Sequence, residues 1–538
     1  MERLLLRAIA QACCNEMTNK KLGPLAITAI AVVFLAAIPL LFVIYNSLQL
    51  DASQWAGLWS KRLPELLWNT LALALLVAIG CFILGVSAAW WIARYEFPGR
   101  EIAAWLMILP LTIPTYVFAH IYTSILEDDG WLGRFWHFIM GANTATPDIY
   151  NIGGATLVLS LAGFSYVFLM ARSALSHSTR TLEEAARIQG ANKLQVFFQI
   201  NLPLLRPAIA AGLAVAVLHV LSDFGAVSML QYQTFTLSIY LQMSGRFDYQ
   251  GAAGLSMVLV LLSLTFLVTE RFFRAQQRYY SARQARRHIP QKTSTTVTVL
   301  IWFWLGLITL FAFILPLAWM LHWSLDAWLQ DAIDREFWTY TTNSITVAIL
   351  AATAAVICAF PIAFYNARKR SMGSSLILQL SSVGFVLPGP VIALGIISFI
   401  LAQLPVLYGG MTALILALVV RFLPLAVQSQ DATLQQLTPS IEQAGRNLGA
   451  GPLENLWLVI LPMIRSGMAT AWVLVFIDAL KELPATLILR PTGFDTLPVR
   501  IWIEASEEML ELAAPAALML VVGTLPIIWV LMKNNQKT

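Results

Sequence analysis

The 538-residue chain is 58% hydrophobic and only 12% charged, about half the charged fraction of an ordinary soluble domain. Its mean hydropathy is +0.72, and apolar stretches long enough to cross a bilayer, about 20 residues each, recur along its whole length. These features exclude a soluble enzyme with one terminal anchor, and the net charge of +5 reads as loop charge with no nucleic acid implied, because the basic residues fall on alternate loops.

Taken in chain order, the apolar windows predict twelve membrane-spanning helices: 24–46, 67–94, 103–125, 152–171, 207–229, 251–270, 297–320, 341–365, 374–402, 411–428, 466–488 and 511–532. The first run, Pro24 to Tyr45, is too long for a signal peptide and no small-residue cleavage pattern follows it. An even number of spans puts both termini on one side. Basic residues crowd the segments that face that side, among them Lys20, Lys21, Arg187, Arg206, Arg274, Arg286, Arg287, Arg368, Lys369, Arg370 and Arg465. The opposite segments carry only Lys61, Arg62, Arg134, Arg246, Arg335, Arg490 and Arg500, and Arg421 and Lys481 fall inside helices. Translocation of Lys and Arg is resisted, so both termini are expected to be cytoplasmic in a bacterial inner membrane. The outer segments hold Glu127, Asp128 and Asp129 in one place and Glu504, Glu507, Glu508 and Glu511 in another, either as solvated faces or as a docking surface.

The predicted domains are a first six-helix repeat over 1–270, a basic cytoplasmic linker over 271–296 lying against the anionic leaflet of the bilayer, and a second six-helix repeat over 297–538. Internal repetition supports the division. Residues 184–206, EAARIQGANKLQVFFQINLPLLR, are echoed by residues 443–465, QAGRNLGAGPLENLWLVILPMIR, at a constant offset of 259 that pairs Glu183 with Glu442, Ala185 with Ala444 and Gly190 with Gly449. Leu202-Pro203 and Arg206 likewise pair with Leu461-Pro462 and Arg465. Both copies fall in the cytoplasmic loop between the fourth and fifth helix of their half. A weaker echo joins Pro114, Val117 and Ala119 to Pro388, Val391 and Ala393, and Thr236-Leu237-Ser238-Ile239 is matched with Thr496-Leu497-Pro498-Val499. The fold class is therefore all-α integral membrane, with two parallel repeats and a pathway between them.

Within the duplicated loop, good helix formers with acidic residues in the first turn run into a glycine, and Leu-Pro then starts the next membrane helix. The result is a short, rigid helix-turn-helix, which serves either as a lever or as a structural loop. Glu184-Ala185-Ala186, Gly190, Ile200 and Leu202-Pro203, at full spacing, resemble the EAA loop of bacterial ATP-binding-cassette importers. In that class the loop is a coupling helix docked in a groove of the ATPase. The resemblance implies ATPase-coupling roles for Glu183, Glu184, Ala185 and Gly190, and for Glu442, Ala444 and Gly449, although the second copy has Gln443, Gly445 and Val459 where glutamate, alanine and isoleucine are expected.

The fused arrangement is similar to the ferric-iron permease group, on Asp223-Phe224-Gly225-Ala226-Val227, on Lys481-Glu482-Leu483-Pro484-Ala485-Thr486 and on Leu489-Arg490-Pro491. The fused thiamine permeases are related. The resemblance implies an alternating-access importer of ferric iron served by two cytoplasmic ATPase subunits and a periplasmic binding protein. Import of thiamine or another small solute, and ion-coupled secondary transport, are the other readings. No G-x-x-x-x-G-K-[ST] loop, H-E-x-x-H or G-x-S-x-G pattern occurs, so the chain is expected to be no enzyme and to bind no cofactor, with ATP and magnesium held by the partner subunits. Cys13, Cys14, Cys81 and Cys358 form no C-x-x-C pair and complete no zinc site.

Asp223, Asp478 and Glu482 are acidic residues in predicted spans, where a carboxylate costs about 2.5–3.5 kcal/mol, and the offset of 259 makes Asp223 and Glu482 equivalents. They are read either as ligands along a cation pathway or as structural and gating groups, and no confident metal set emerges. Tyr116, close to Pro114, is a weaker pathway candidate. Pro114 and Pro388 break the third and ninth helices and are candidate gates or ordinary packing kinks.

Overall fold

The computed structural model describes residues 24–141, 144–177, 186–275, 291–369, 371–385 and 387–535. The first half consists of α1 (Pro24–Leu48), α2 (Ala52–Lys61), α3 (Leu63–Arg94), α4 (Arg100–Leu106), α5 (Thr115–Leu126), α6 (Trp131–Met140), α7 (Ile152–His177), α8 (Lys193–Val196), α9 (Leu202–Ser222), α10 (Gly225–Met229), α11 (Phe235–Ser244) and α12 (Tyr249–Ala275). The second consists of α13 (Thr295–Thr309), α14 (Leu315–Leu329), α15 (Arg335–Arg368), α16 (Met372–Ser381), α17 (Gly389–Gln403), α18 (Met411–Leu434), α19 (Pro439–Asn447), α20 (Pro452–Asn455), α21 (Leu461–Leu480), α22 (Pro484–Leu489), α23 (Leu497–Ser506) and α24 (Leu510–Asn535).

Nine helices among the described residues are long and apolar enough to span a bilayer. Two bent pairs raise this to eleven: Arg100–Thr112 with Thr115–Met140, bent by 94°, and Met372–Gly384 with Gly389–Gln403, bent by 103°. The last expected span is helical in α24, which runs over Leu510–Asn535. Two-residue strands Tyr95–Glu96 and Gln291–Lys292 pair in parallel, and Trp302 Nε1 donates to the Pro98 carbonyl at 3.0 Å, which fastens the end of the linker segment to the first half. Residues 276–290 of that linker lie outside the described residues.

The chain gathers into two compact units that each draw on several segments. The larger comprises Ile38–Ala351, Phe385–Arg421 and Phe476–Thr538. In it α3 packs along α7, and α9 packs against both. The approach is close because the contact residues are small: a Cβ on Gly85 would lie 2.8 Å from the Phe164 carbonyl oxygen. The smaller unit comprises Met1–Ala37, Ala352–Gly384 and Phe422–Val475. Its core is Ala363, Phe364, Leu434, Ile460 and Ile464.

The repeat extends to backbone detail. At the same offset of 259, α8 recurs as α20, the widened π turn Phe197–Asn201 as Leu456–Ile460, and the starts of α9 and α10 as those of α21 and α22. The fifth and eleventh helices, expected to run on to 229 and 488, end at Ser222 and Leu480, break, and resume as α10 and α22. Beyond the three-residue insertion in the second half the offset becomes 262, so Thr234, the N-cap of α11, corresponds to Thr496, the N-cap of α23. This shifts the expected pairing of Thr236 with Thr496 by two residues, since the cap positions set the register.

Candidate functional site

The second copy of the duplicated loop lies wholly within the described residues. Thr438 and Pro439 start α19, where proline at the first helical position gives up only an N–H that has no partner there. Gly449, at φ +92°, reverses the chain: its N–H donates to the Arg446 carbonyl at 3.0 Å and that of Ala450 to the Gly445 carbonyl at 3.1 Å. Gly451 N–H donates to Glu454 at 3.3 Å, and the next turn begins. In the first loop, Gly190 at φ +90° repeats the reversal through bonds to the carbonyls of Arg187 (3.0 Å) and Ala186 (3.0 Å), and Asn192 and Gln195 cap each other reciprocally. Glu183, Glu184 and Ala185 lie outside the described residues.

The two faces of α19 differ. Gln443, Ala444, Arg446 and Asn447 are exposed, and Leu448 at the turn is 89% exposed. Glu442 and Gly445 are buried. Glu442 is ion-paired with Arg368 at the end of α15; that guanidinium also donates to the Leu437 carbonyl at 3.1 Å and lies over the Phe364 ring. The carbonyl of Glu442 accepts from Asn455 Nδ2 at 3.1 Å. Glu442 thus anchors α19 internally, while the residues around it present the outward surface. In the first half, Arg94 stands at the position of Arg368 and donates to Asn201 at 2.8 Å. Where the first loop has Ala186 and Val196, the second has Gly445 facing Asn455, which accounts for the departure from alanine at 445: a Cβ there would meet Asn455 Oδ1 at 2.5 Å.

The intramembrane carboxylates occupy equivalent places. Asp223 follows α9 and accepts from the N–H groups of Ala226 (2.9 Å) and Val227 (3.4 Å) and from the Thr115 hydroxyl (2.5 Å). Glu482 follows α21 and accepts from the N–H groups of Ala485 (3.0 Å) and Thr486 (3.0 Å) and from the Thr486 hydroxyl (3.0 Å). Each carboxylate therefore caps the short helix that resumes after its break. Bonds of this charged kind contribute about 1.5–3 kcal/mol apiece, so two or three offset the cost of a carboxylate in a span.

Three further groups surround them. Arg421 of α18 places its Nε 3.8 Å from Glu482, and its charge reaches Asp223 and Asp478. Lys481 donates to the Leu111 carbonyl at 3.0 Å, across 370 residues of sequence, and Leu111 sits in the tight turn Leu109–Thr112 that breaks the third helix. Tyr116, buried beside Gly225, lies in the field of Glu482. Pro114 and Pro388 have matching geometry, with φ/ψ of −61°/150° and −60°/151°, and act as the N-caps of α5 and α17. The structure thus brings together Asp223, Tyr116, Glu482, Asp478 and the two prolines around Arg421 and Lys481. The cations at 421 and 481 were legible as helix residues but not as centres of the cluster. No group of three or more metal-binding side chains occurs among the described residues.

Sequence reasoning missed the short helices α11 and α23, which follow the breaks. Phe235 N–H donates to Thr70 at 3.4 Å and Leu497 N–H to Ser344 at 2.7 Å, while Asn69 and Asn343 donate to the carbonyls of Gln233 (3.1 Å) and Asp495 (2.9 Å). The available signal was Asn69-Thr70 and Asn343-Ser344, two polar pairs at equivalent places in otherwise apolar helices.

A family model described as "Binding-protein-dependent transport system inner membrane component" matches residues 82–278 and again residues 351–537. The chain belongs to this permease family. It is 31% identical over 489 residues to the "Fe(3+)-transport system permease protein FbpB 2" of Haemophilus influenzae, covering 90% of this chain and 93% of that relative. It is 25% identical over 442 residues to the "Ferric transport system permease protein FbpB" of Actinobacillus pleuropneumoniae, covering 78% of this chain and 64% of the other. Similarity to the "Sulfate transport system permease protein CysT" of Salmonella typhimurium, at 29% identity, covers only 41% of this chain and 81% of that protein. The permease is a multi-pass membrane protein with two fused family repeats and, like its relatives, a transport protein rather than an enzyme.

Proposed function

We propose that this permease is the membrane subunit of a ferric-iron importer of the inner membrane, with both termini in the cytoplasm. Two ATPase subunits bind the exposed faces beside Gly190 and Gly449, and a periplasmic binding protein delivers the ligand on the other side. The observation that carries the coupling role is the glycine-capped reversal, reproduced at an offset of 259 in backbone geometry as well as in sequence. Ferric iron as the substrate is supported by two ferric relatives that align along both halves, whereas the sulfate relative aligns with less than half of the chain.

In the proposed cycle, ATP binding moves the coupling helices and opens the pathway outward, and hydrolysis resets it. Asp223 and Glu482 hold the broken fifth and eleventh helices in shape, with Arg421 and Lys481 balancing their charge. Pro114 and Pro388 orient the helix starts at the same level. Iron uptake into proteoliposomes holding the permease, its ATPase and its binding protein tests the reading. ATP-dependent accumulation of ferric iron is expected; accumulation of thiamine but not iron, or uptake driven by an ion gradient without ATP, contradicts it.

A further inference from the structure

The two halves differ in charge at the end of α3 remote from Arg94. In the second half the arginines there are neutralised internally: Arg490 is ion-paired with Asp495, Arg500 lies 3.8 Å from Asp495 and 2.9 Å from Glu504, and its guanidinium covers the Tyr340 ring. At the offset of 262, the first half replaces Asp495, Arg500 and Glu504 with Gln233, Ser238 and Gln242. It also reverses two charges, placing Arg246 where the second half has Glu508 and, at the offset of 274 that pairs Arg94 with Arg368, Arg62 where it has Glu336.

Arg62 and Arg246 both line a recess of about 510 Å³, with Glu65, Gln233 and Ser238, and an adjoining one of about 210 Å³, with Gln242 and Asp248. Among the described residues neither guanidinium has an ion pair or side-chain hydrogen bond. Burial, and then the charge of Arg246, push the Arg62 guanidinium below its ordinary value, against a smaller opposing effect of Glu65. Glu65 is exposed, and both oxygens of Asp248 are engaged, one by Gln242 Nε2 at 2.9 Å and one by the Gly251 N–H at 2.8 Å. Gln242 is 5% exposed, and its Oε1 is a buried acceptor without a donor.

We propose that Arg62, Arg246 and Gln242 form a binding site for a phosphate-class oxyanion, unique to the first half. Two guanidinium groups supply charged donors suited to paired oxygens, and the free amide oxygen accepts from a protonated oxygen of the same ligand. The second half, self-neutralised at the equivalent place, serves as the internal control. The site lies where α3 enters its span, so the phosphate is either a free ion or the headgroup of an anionic lipid.

The purified permease in phosphatidylcholine nanodiscs, titrated with inorganic phosphate by calorimetry, tests the free-ion source. Native mass spectrometry after exchange into phosphatidylglycerol tests the lipid source. Binding that the R62Q/R246Q double variant weakens by about tenfold or more, and R500Q leaves unchanged, supports the site in either arm and names its source. Circular dichroism melting establishes that the variants are folded. If phosphate and phosphatidylglycerol bind folded wild type and folded double variant alike, or bind neither, the proposal is overturned.

Discussion

Arg368 and Glu442 form a largely buried ion pair, with side chains 16% and 11% exposed. Removing one partner strands a charge, at a cost of about 3 kcal/mol for buried pairs. Glu442→Gln should therefore speed amide exchange across Pro439–Asn447 by tenfold or more, and the double substitution Arg368→Met with Glu442→Leu should recover much of the loss; unchanged exchange in the single variant would remove Glu442 as an anchor. A finer case lies at Gly445. A methyl there pushes Asn455 away from the Glu442 carbonyl, at a cost of about 1–2 kcal/mol, so Gly445→Ala should lower the melting temperature. Adding Asn455→Val, which puts at both positions the residues that the first half has, Ala186 and Val196, should restore it. Hydropathy could not reveal this pairing, because both residues are small and the contact spans a turn.

At the scale of elements, the duplicated loop, the long helices and the interrupting prolines were legible in the sequence, because apolar length and glycine spacing record them directly. The breaks after Ser222 and Leu480 were not, since Phe224 to Met229 and Leu483 to Leu489 remain largely apolar while the backbone turns. Periodicity counts side chains and is blind to the direction of the chain. The carboxylates at 223 and 482 were found for their cost in lipid, but their use as caps depends on N–H groups that no composition displays. The short helices α11 and α23 are too short to register as spans, and their anchors sit in distant helices. Those anchors rank by distance: Ser344→Ala removes a 2.7 Å acceptor from Leu497 N–H, and Thr70→Ala a 3.4 Å one from Phe235 N–H. Ser344→Ala should thus destabilise by about 1–3 kcal/mol and loosen exchange across Leu497–Ser506, with a milder effect for Thr70→Ala across Phe235–Ser244. Equal effects would argue that neither bond holds its helix.

Across the whole molecule, the repeats are close in backbone and unlike in charge. Lys481 corresponds to Ser222 and Arg421 to Ala162, so the intramembrane cations belong to the second half alone. Lys481 ties the end of the eleventh helix to the break in the third through the Leu111 carbonyl. Lys481→Met should release that tie and raise ATPase activity in the absence of binding protein several-fold, as expected when a lost contact of about 1.5–3 kcal/mol had favoured the resting state; unaltered basal activity would make the contact incidental. The most direct test of two-fold coupling is cysteine cross-linking at the exposed tips of the repeated loops, with Ile188→Cys and Leu448→Cys introduced singly into a cysteine-free background and assembled with the ATPase. Duplicated docking predicts that each forms a disulfide with a cysteine in the ATPase groove, at a yield that changes with ATP. If both positions fail to cross-link in an assembly that still hydrolyses ATP, or react instead with an impermeant maleimide added from the periplasmic side, the repeated loops are not the coupling elements.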